Sequence, residues 1–217
     1  MRVIIVPSEV SLNFWIFVWV VLAVIVLGVF FWSMEILFRQ KRAWKALANK
    51  YNMQYESNAL LLSPGVSGRI KGYQVDLFAE EQPAEDVRRR QFRTVIMVHI
   101  ENAYPSSGIA GTPLYKEFIN SINLPEIYTP EHEGWNDRNV LHTKDKQALK
   151  EFMEASPERW PALSKLLKIK NADAFFIFDD KEAYFRMETA EPLDDLEFLN
   201  KRILGIIAQC EKLDPGK

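Results

Sequence analysis

The chain has 217 residues, 48% of them hydrophobic and 26% charged, with a formal net charge of -2. These averages exclude a collagen-like or wholly disordered chain. A single cysteine excludes a disulfide scaffold, and near-neutrality gives no reason to expect nucleic-acid binding.

The averages hide an uneven distribution. Positions 10–34 carry no charge, and 21 of these 25 residues are hydrophobic. Without them the remainder is about 43% hydrophobic, ordinary for a soluble domain. Residues 13–33 give about 32 Å of helix, enough for a hydrocarbon core of about 30 Å. Trp15 and Trp32 stand near its two ends, placed as interfacial aromatic anchors. A buried core helix rarely runs so long without charge. A cleaved signal peptide would have a more basic start, a shorter apolar run and small residues at its end. The segment therefore reads as a retained transmembrane helix, with residues 1–12 as a short non-cytoplasmic tail. It holds no pair of small residues four apart, so close packing of two anchors is not encoded.

Basic residues set the expected orientation. The N-terminal tail offers Arg2, against Arg39, Lys41, Arg42, Lys45 and Lys50 on the other side. This places residues 51–217 in the cytoplasm, which a lone reduced cysteine suits. Residues 34–50 continue the helix as a basic collar, with Ile36, Leu37, Trp44, Leu47 and Ala48 among the charges. The collar sums to +4 and residues 51–217 to -6. It reads first as a topology signal and second as a patch for anionic lipid.

A β-rich stretch follows. Strands over 66–70 and 73–80 flank Lys71-Gly72, a tight hairpin signal. The clearest strand is 92–101, apolar on both faces and hence expected to be central and covered on both sides. Residues 82–91, with Arg88-Arg89-Arg90, read as a solvated loop. Residues 103–112 read as a Gly/Ser/Pro loop and 113–122 as a short helix with proline at its first position. An irregular stretch covers 123–134, then a short strand 139–142. Thr143 reads as the cap of a helix ending near 153, and Ser156-Pro157-Glu158 as the start of another ending near 169. A hairpin pairs 174–178 with 182–188. A last helix over 193–213 places Leu196, Leu199, Ile203, Ile206, Ile207, Cys210 and Leu213 on one face. The order argues an α+β domain with a largely antiparallel sheet.

Several of these segments carry a further pattern. They are Trp44-Lys45-Ala46-Leu47-Ala48, Gly68-Arg69-Ile70-Lys71-Gly72-Tyr73, Asn136-Asp137-Arg138-Asn139-Val140-Leu141, Trp160-Pro161-Ala162-Leu163 with Leu166-Leu167, and Asp179-Asp180-Lys181-Glu182-Ala183-Tyr184. Together they resemble a family of uncharacterised bacterial membrane-anchored proteins, a domain of unknown function. The resemblance implies a bacterial inner-membrane protein and carries over no catalytic residue.

Candidate chemistry is sparse. His132 and His142 are too few for a zinc site, and His99 reads as a hydrogen-bonded sheet residue. Residues 108–112 lack the lysine of a phosphate loop. Cys210 belongs to an apolar helix face and reads as inert core. Nothing in spacing joins Ser106-Ser107 to a histidine and an acid. Asp179, Asp180, Glu182, Glu188, Glu191, Asp194 and Asp195 read as a solvated acidic face or a docking surface for a basic partner, without the glycine-containing loop calcium needs. No cofactor or metal is expected. The expected function is a membrane-tethered cytoplasmic interaction or scaffold domain with a protein partner. The alternatives are a membrane-surface hydrolase built on the histidines and an anionic-lipid sensor.

Overall fold

The computed structural model describes residues 9–57, 62–81 and 92–217. Arg2 and Arg88-Arg89-Arg90 lie outside them. A helix of 43 residues, α1 (Glu9–Tyr51), opens the described chain. The strands are β1 (Gln54–Glu56), β2 (Gly65–Ile70), β3 (Tyr73–Glu81), β4 (Phe92–Ile100), β5 (Gly108–Gly111), β6 (Glu126–Ile127), β7 (Val140–Thr143), β8 (Ala172–Phe178) and β9 (Ala183–Thr189). They form one sheet in the order β1-β2-β3-β4-β9-β8-β5-β7-β6. Every neighbouring pair is antiparallel. The other helices are α2 (Lys116–Ser121), α3 (Lys146–Glu154), α4 (Arg159–Leu166) and α5 (Leu196–Leu213). The α+β class and the antiparallel sheet are as the sequence order predicts.

Local chemistry accounts for the β2–β3 and β8–β9 hairpins. Lys71 and Gly72 both have positive φ, 52° and 91°. That is what a two-residue turn between twisted strands requires. In the β8–β9 turn, Asp179 Oδ1 accepts from the Lys181 and Glu182 N–H groups at 2.8 and 3.0 Å. These bonds hold the Asp179 carboxyl below the usual carboxylate range.

One face of the sheet carries the main core. Ile96, Val98 and Ile100 of β4 are fully buried, together with Leu77, Phe185 and Met187 from the neighbouring strands. They pack with Trp44 and Leu47 of α1, Leu163 and Leu166 of α4, and Ile203, Ile207 and Cys210 of α5. Tyr104 donates its hydroxyl proton to the Leu213 carbonyl at 2.9 Å. Tyr73 donates to Asp214 at 2.9 Å. Burial, then the Asp214 carboxylate, pushes the Tyr73 phenol up to about 12. These bonds fix the end of α5 to the sheet.

The opposite face differs from the expectation for β4. A second cluster of Ile109, Ile119 and Phe175 lies under α2. On β4 itself Val95 is buried, while Met97 and His99 stay half-exposed. The reason is a polar patch alongside them. Ser67 donates to Asp76 at 2.6 Å, and the His99 Nε2 lies 3.1 Å from the second Asp76 oxygen. His99 is thus the hydrogen-bonded sheet residue the sequence suggests.

Four boundaries also differ. Residues 108–111 are strand β5 and not loop, paired with both β7 and β8. Their glycines serve close approach: a Cβ on Gly108 would lie 2.4 Å from Phe178 Cζ. Thr143 ends β7, and the cap of α3 is Asp145, which accepts from the Ala148 N–H at 3.0 Å. Residues 156–158 form a turn, so α4 starts at Arg159 and stops at Leu166.

The start of α5 shifts from 193 to 196, because Asp195 caps it by accepting from the Phe198 N–H at 2.7 Å. Replacing Asp195 with alanine orphans that N–H. The expected loss is about 1 kcal/mol, read as a lower thermal midpoint. An unchanged midpoint would contradict the cap.

Candidate functional site: the apolar helix and its docked collar

Among the described residues, one helix is long and apolar enough to cross a membrane, and its apolar part is not buried against the rest of the chain. Trp15 and Trp32 are both exposed on it, about 26 Å apart along the axis. Ser33 returns its hydroxyl to the Val29 carbonyl at 2.9 Å, so no polar group is left open there.

The helix does not stop at the end of this segment. It continues without a break into the core. Gln40, Ala43, Trp44, Leu47 and Ala48 are buried. Their spacing of three and four puts them on one stripe. Each polar member of the stripe is satisfied. Gln40 Nε2 donates to the Pro192 carbonyl at 2.8 Å, and its oxygen accepts from Ser63 at 3.0 Å. Trp44 Nε1 donates to the Leu193 carbonyl at 3.1 Å. One turn further on, Tyr51 donates to Asn200 of α5 at 2.6 Å.

The five collar residues separate into three groups. Arg39 joins the docking, with Nε 3.1 Å from Asp194. Lys50 lies over the Tyr51 ring, 5.5 Å from its centre. Lys41, Arg42 and Lys45 face away from the core and line an open groove of about 430 Å³ with Glu35, Phe38 and Tyr55. Arg42 is 3.4 Å from Glu35.

The remaining candidates do not gather. His99 on β4 and His142 on β7 lie on one face but four strands apart, which is about 19 Å. His132 sits in the loop between β6 and β7. The hydrolase alternative expected a deep pocket gathering His99, His132 or His142 with carboxylates. Among the described residues, no group of three or more histidine, cysteine, aspartate or glutamate side chains could hold a metal. Ser106, just before β5, accepts from the Asp145 N–H at 3.1 Å and meets Thr143 at the end of β7. Cys210 is buried, and burial pushes its thiol well up.

The acidic residues are dispersed as well. Asp179 shapes a turn, Asp194 meets Arg39, and Asp195 is a helix cap. Glu188 lies 2.7 Å from Arg186, and Glu191 lies 3.2 Å from Arg202. Folding therefore commits most of the supposed acidic face to internal partners.

Two features were not visible in the sequence. On the half-open sheet face, Arg186 lies between Glu80 and Glu188 and over the Phe78 ring. Burial opposes its charge, but the two carboxylates outweigh that and raise its pKa. At the far end of the sheet, a cavity of about 430 Å³ is lined by Tyr128, Thr129, Glu131, His132, Lys146, Lys150, Glu154 and Trp160. Tyr128 and Trp160 pack with ring centres 5.7 Å apart, and Lys146 lies 5.3 Å from the Tyr128 ring. Each set comes from separate segments, so only the pairing of the strands and helices reveals it.

No protein-family model and no curated protein matches the chain. Among solved structures it is similar to the mycobacterial trehalose monomycolate transport factor A, TtfA, at 14% identity and a TM-score of 0.44. That match covers 80% of this chain and 93% of the other. A likeness of this size carries nothing about what the chain binds.

Proposed function

We propose that the chain is a single-pass protein of the bacterial inner membrane. Residues 13–33 span the bilayer. Residues 51–217 lie in the cytoplasm as a scaffold domain for a protein partner. The observation that carries this reading is the unbroken run of α1 from the exposed apolar segment into the core. A cleaved leader ends in a small-residue site after its apolar run, which the peptidase must reach. Here that position is helix, and the next two turns are packed against the sheet and α5. The excess of collar charges over Arg2 supports the cytoplasmic side.

The scaffold role is supported by how the domain is held. Docking through Gln40, Trp44 and Tyr51 fixes the domain on its anchor. A domain held that way presents its open sheet face and its far cavity at a set height above the bilayer.

Two measurements test the proposal. A reporter that works only in the cytoplasm, fused after Lys217, is expected to be active, and one that works only in the periplasm to be silent. The reverse pattern would overturn the orientation. Gentle crosslinking in intact membranes followed by detergent purification is expected to give a discrete larger species. A strictly solitary chain would overturn the scaffold role and leave the anchor untouched.

A further inference from the structure

The groove beside the collar has a shape that a bare topology signal does not need. Phe38, Lys41, Arg42 and Lys45 recur every three or four residues, so they form one stripe of α1. The buried stripe of Gln40, Trp44 and Leu47 prevents that surface from rotating. Across from it stands Tyr55 of β1, which closes the groove from the domain side. Three cations and one carboxylate, Glu35, leave a formal charge of +2 along its walls.

Its membrane-facing end reaches the headgroup layer. The apolar segment ends near Ser33. At 1.5 Å per residue, Phe38 lies about 8 Å beyond that point, Lys41 about 12 Å and Lys45 about 18 Å. The headgroup layer is about 5–8 Å thick on each side. Helical side chains lean toward the N-terminus, here toward the bilayer. Long basic side chains then extend back along the helix to reach the phosphates, as snorkelling residues do. Phe38 lies at the outer edge of the headgroup layer, with Lys41 and Arg42 about one turn above it.

Resting on the reading of residues 13–33 as a retained span, we propose that this groove is a binding site for the headgroup of an anionic phospholipid. Lys41 and Arg42 hold its phosphodiester, Lys45 adds positive charge one turn above them, the Tyr55 hydroxyl supplies a neutral donor, and Phe38 packs against the headgroup. Glu35, beside Arg42, favours a headgroup of low negative charge over a multiply phosphorylated one.

The test uses the full chain purified in a neutral detergent. Binding of phosphatidylglycerol and of phosphatidylcholine is titrated by native mass spectrometry. Three basic residues just above the headgroup layer predict a preference for phosphatidylglycerol of roughly tenfold or more. A variant with Lys41→Gln, Arg42→Gln and Lys45→Gln is expected to lose it. A control with Lys165→Gln, Lys168→Gln and Lys170→Gln loses the same charge from exposed positions in and just after α4 and is expected to keep it. Equal loss in both variants would mean diffuse electrostatics and overturn the site, as would a preference that survives the groove variant. Displacement of the lipid by equimolar glycerol 3-phosphate would also overturn it, because a free anion site needs no bilayer. If alkaline carbonate extracts the chain from membranes, the span itself fails, which is a different result from an integral chain without lipid preference.

Discussion

Replacing Trp44 with alanine is expected to destabilise the domain by about 3–5 kcal/mol. Trp44 is fully buried, at the junction of α1, α5 and the sheet. Truncation removes a large apolar side chain from a close-packed site, and the surroundings relax only in part. It also orphans the Leu193 carbonyl, which accepts from Trp44 Nε1. Leu193 has φ of 50°, a left-handed conformation unfavourable for leucine, and is itself buried. The segment 192–194 is held by three consecutive contacts from α1, made by Gln40, Trp44 and Arg39. Losing the central one loosens the entry to α5 as well. Trp44→Phe keeps most of the volume and loses the hydrogen bond, so its expected effect is smaller, about 1–3 kcal/mol. Urea unfolding in detergent, followed by near-ultraviolet circular dichroism, measures both. A Trp44→Ala loss below 1 kcal/mol would mean that the end of α1 is not part of the domain core.

The second large effect is expected at Gly108. A Cβ there would lie 2.4 and 2.9 Å from Phe178 ring atoms and 2.9 Å from the His142 carbonyl oxygen. The ring cannot swing away freely, since Phe178 is buried and packs against Tyr104 and Phe176. The carbonyl belongs to the backbone of β7, the next strand. Gly108→Ala is therefore expected to cost about 1–3 kcal/mol through overpacking, and Gly108→Val more. Gly111→Ala meets the flexible end of Ile119 at 2.7 Å and should be milder. Gly205 provides the opposite sign. It lies in the interior of α5 with nothing within 4 Å of an added Cβ. Gly205→Ala is expected to stabilise by about 0.5–1 kcal/mol. Thermal melts of the three variants give the ranking. A neutral Gly108→Ala would contradict the placement of β5.

That placement also shows where sequence reading stops. Strands β2, β3, β8 and β9 were legible because alternation and turn chemistry are local, as at Lys71-Gly72. Strand β5 was not. Four residues with a glycine at each end have no apolar run, and their role is set by Phe178 and His142, far away in the chain. The same holds for the collar. Its charges were plain, but which of them dock and which line the groove depends on the direction α5 approaches from. Arg39 and Lys41 differ by two positions in sequence and by nearly opposite sides of the helix. The caps failed for a smaller reason: Thr143 and Asp145 are both good caps, and the ladder of β7 claims the first. The cavity around Tyr128 and Trp160 had no sequence signal, because its walls come from a loop and two helices.

The unbroken α1 has a mechanical consequence. The sheet extends eight strand spacings from β1, beside the helix, to β6, about 38 Å along its hydrogen-bonding direction. A rod and a plate joined without a hinge move as one body. A 10° change in the tilt of the helix, well within the range that bilayer thickness imposes, then sweeps the far edge of the plate through about 7 Å at that lever arm. If residues 13–33 span the bilayer as proposed, such a tilt displaces the cavity near β6 by more than the width of a strand.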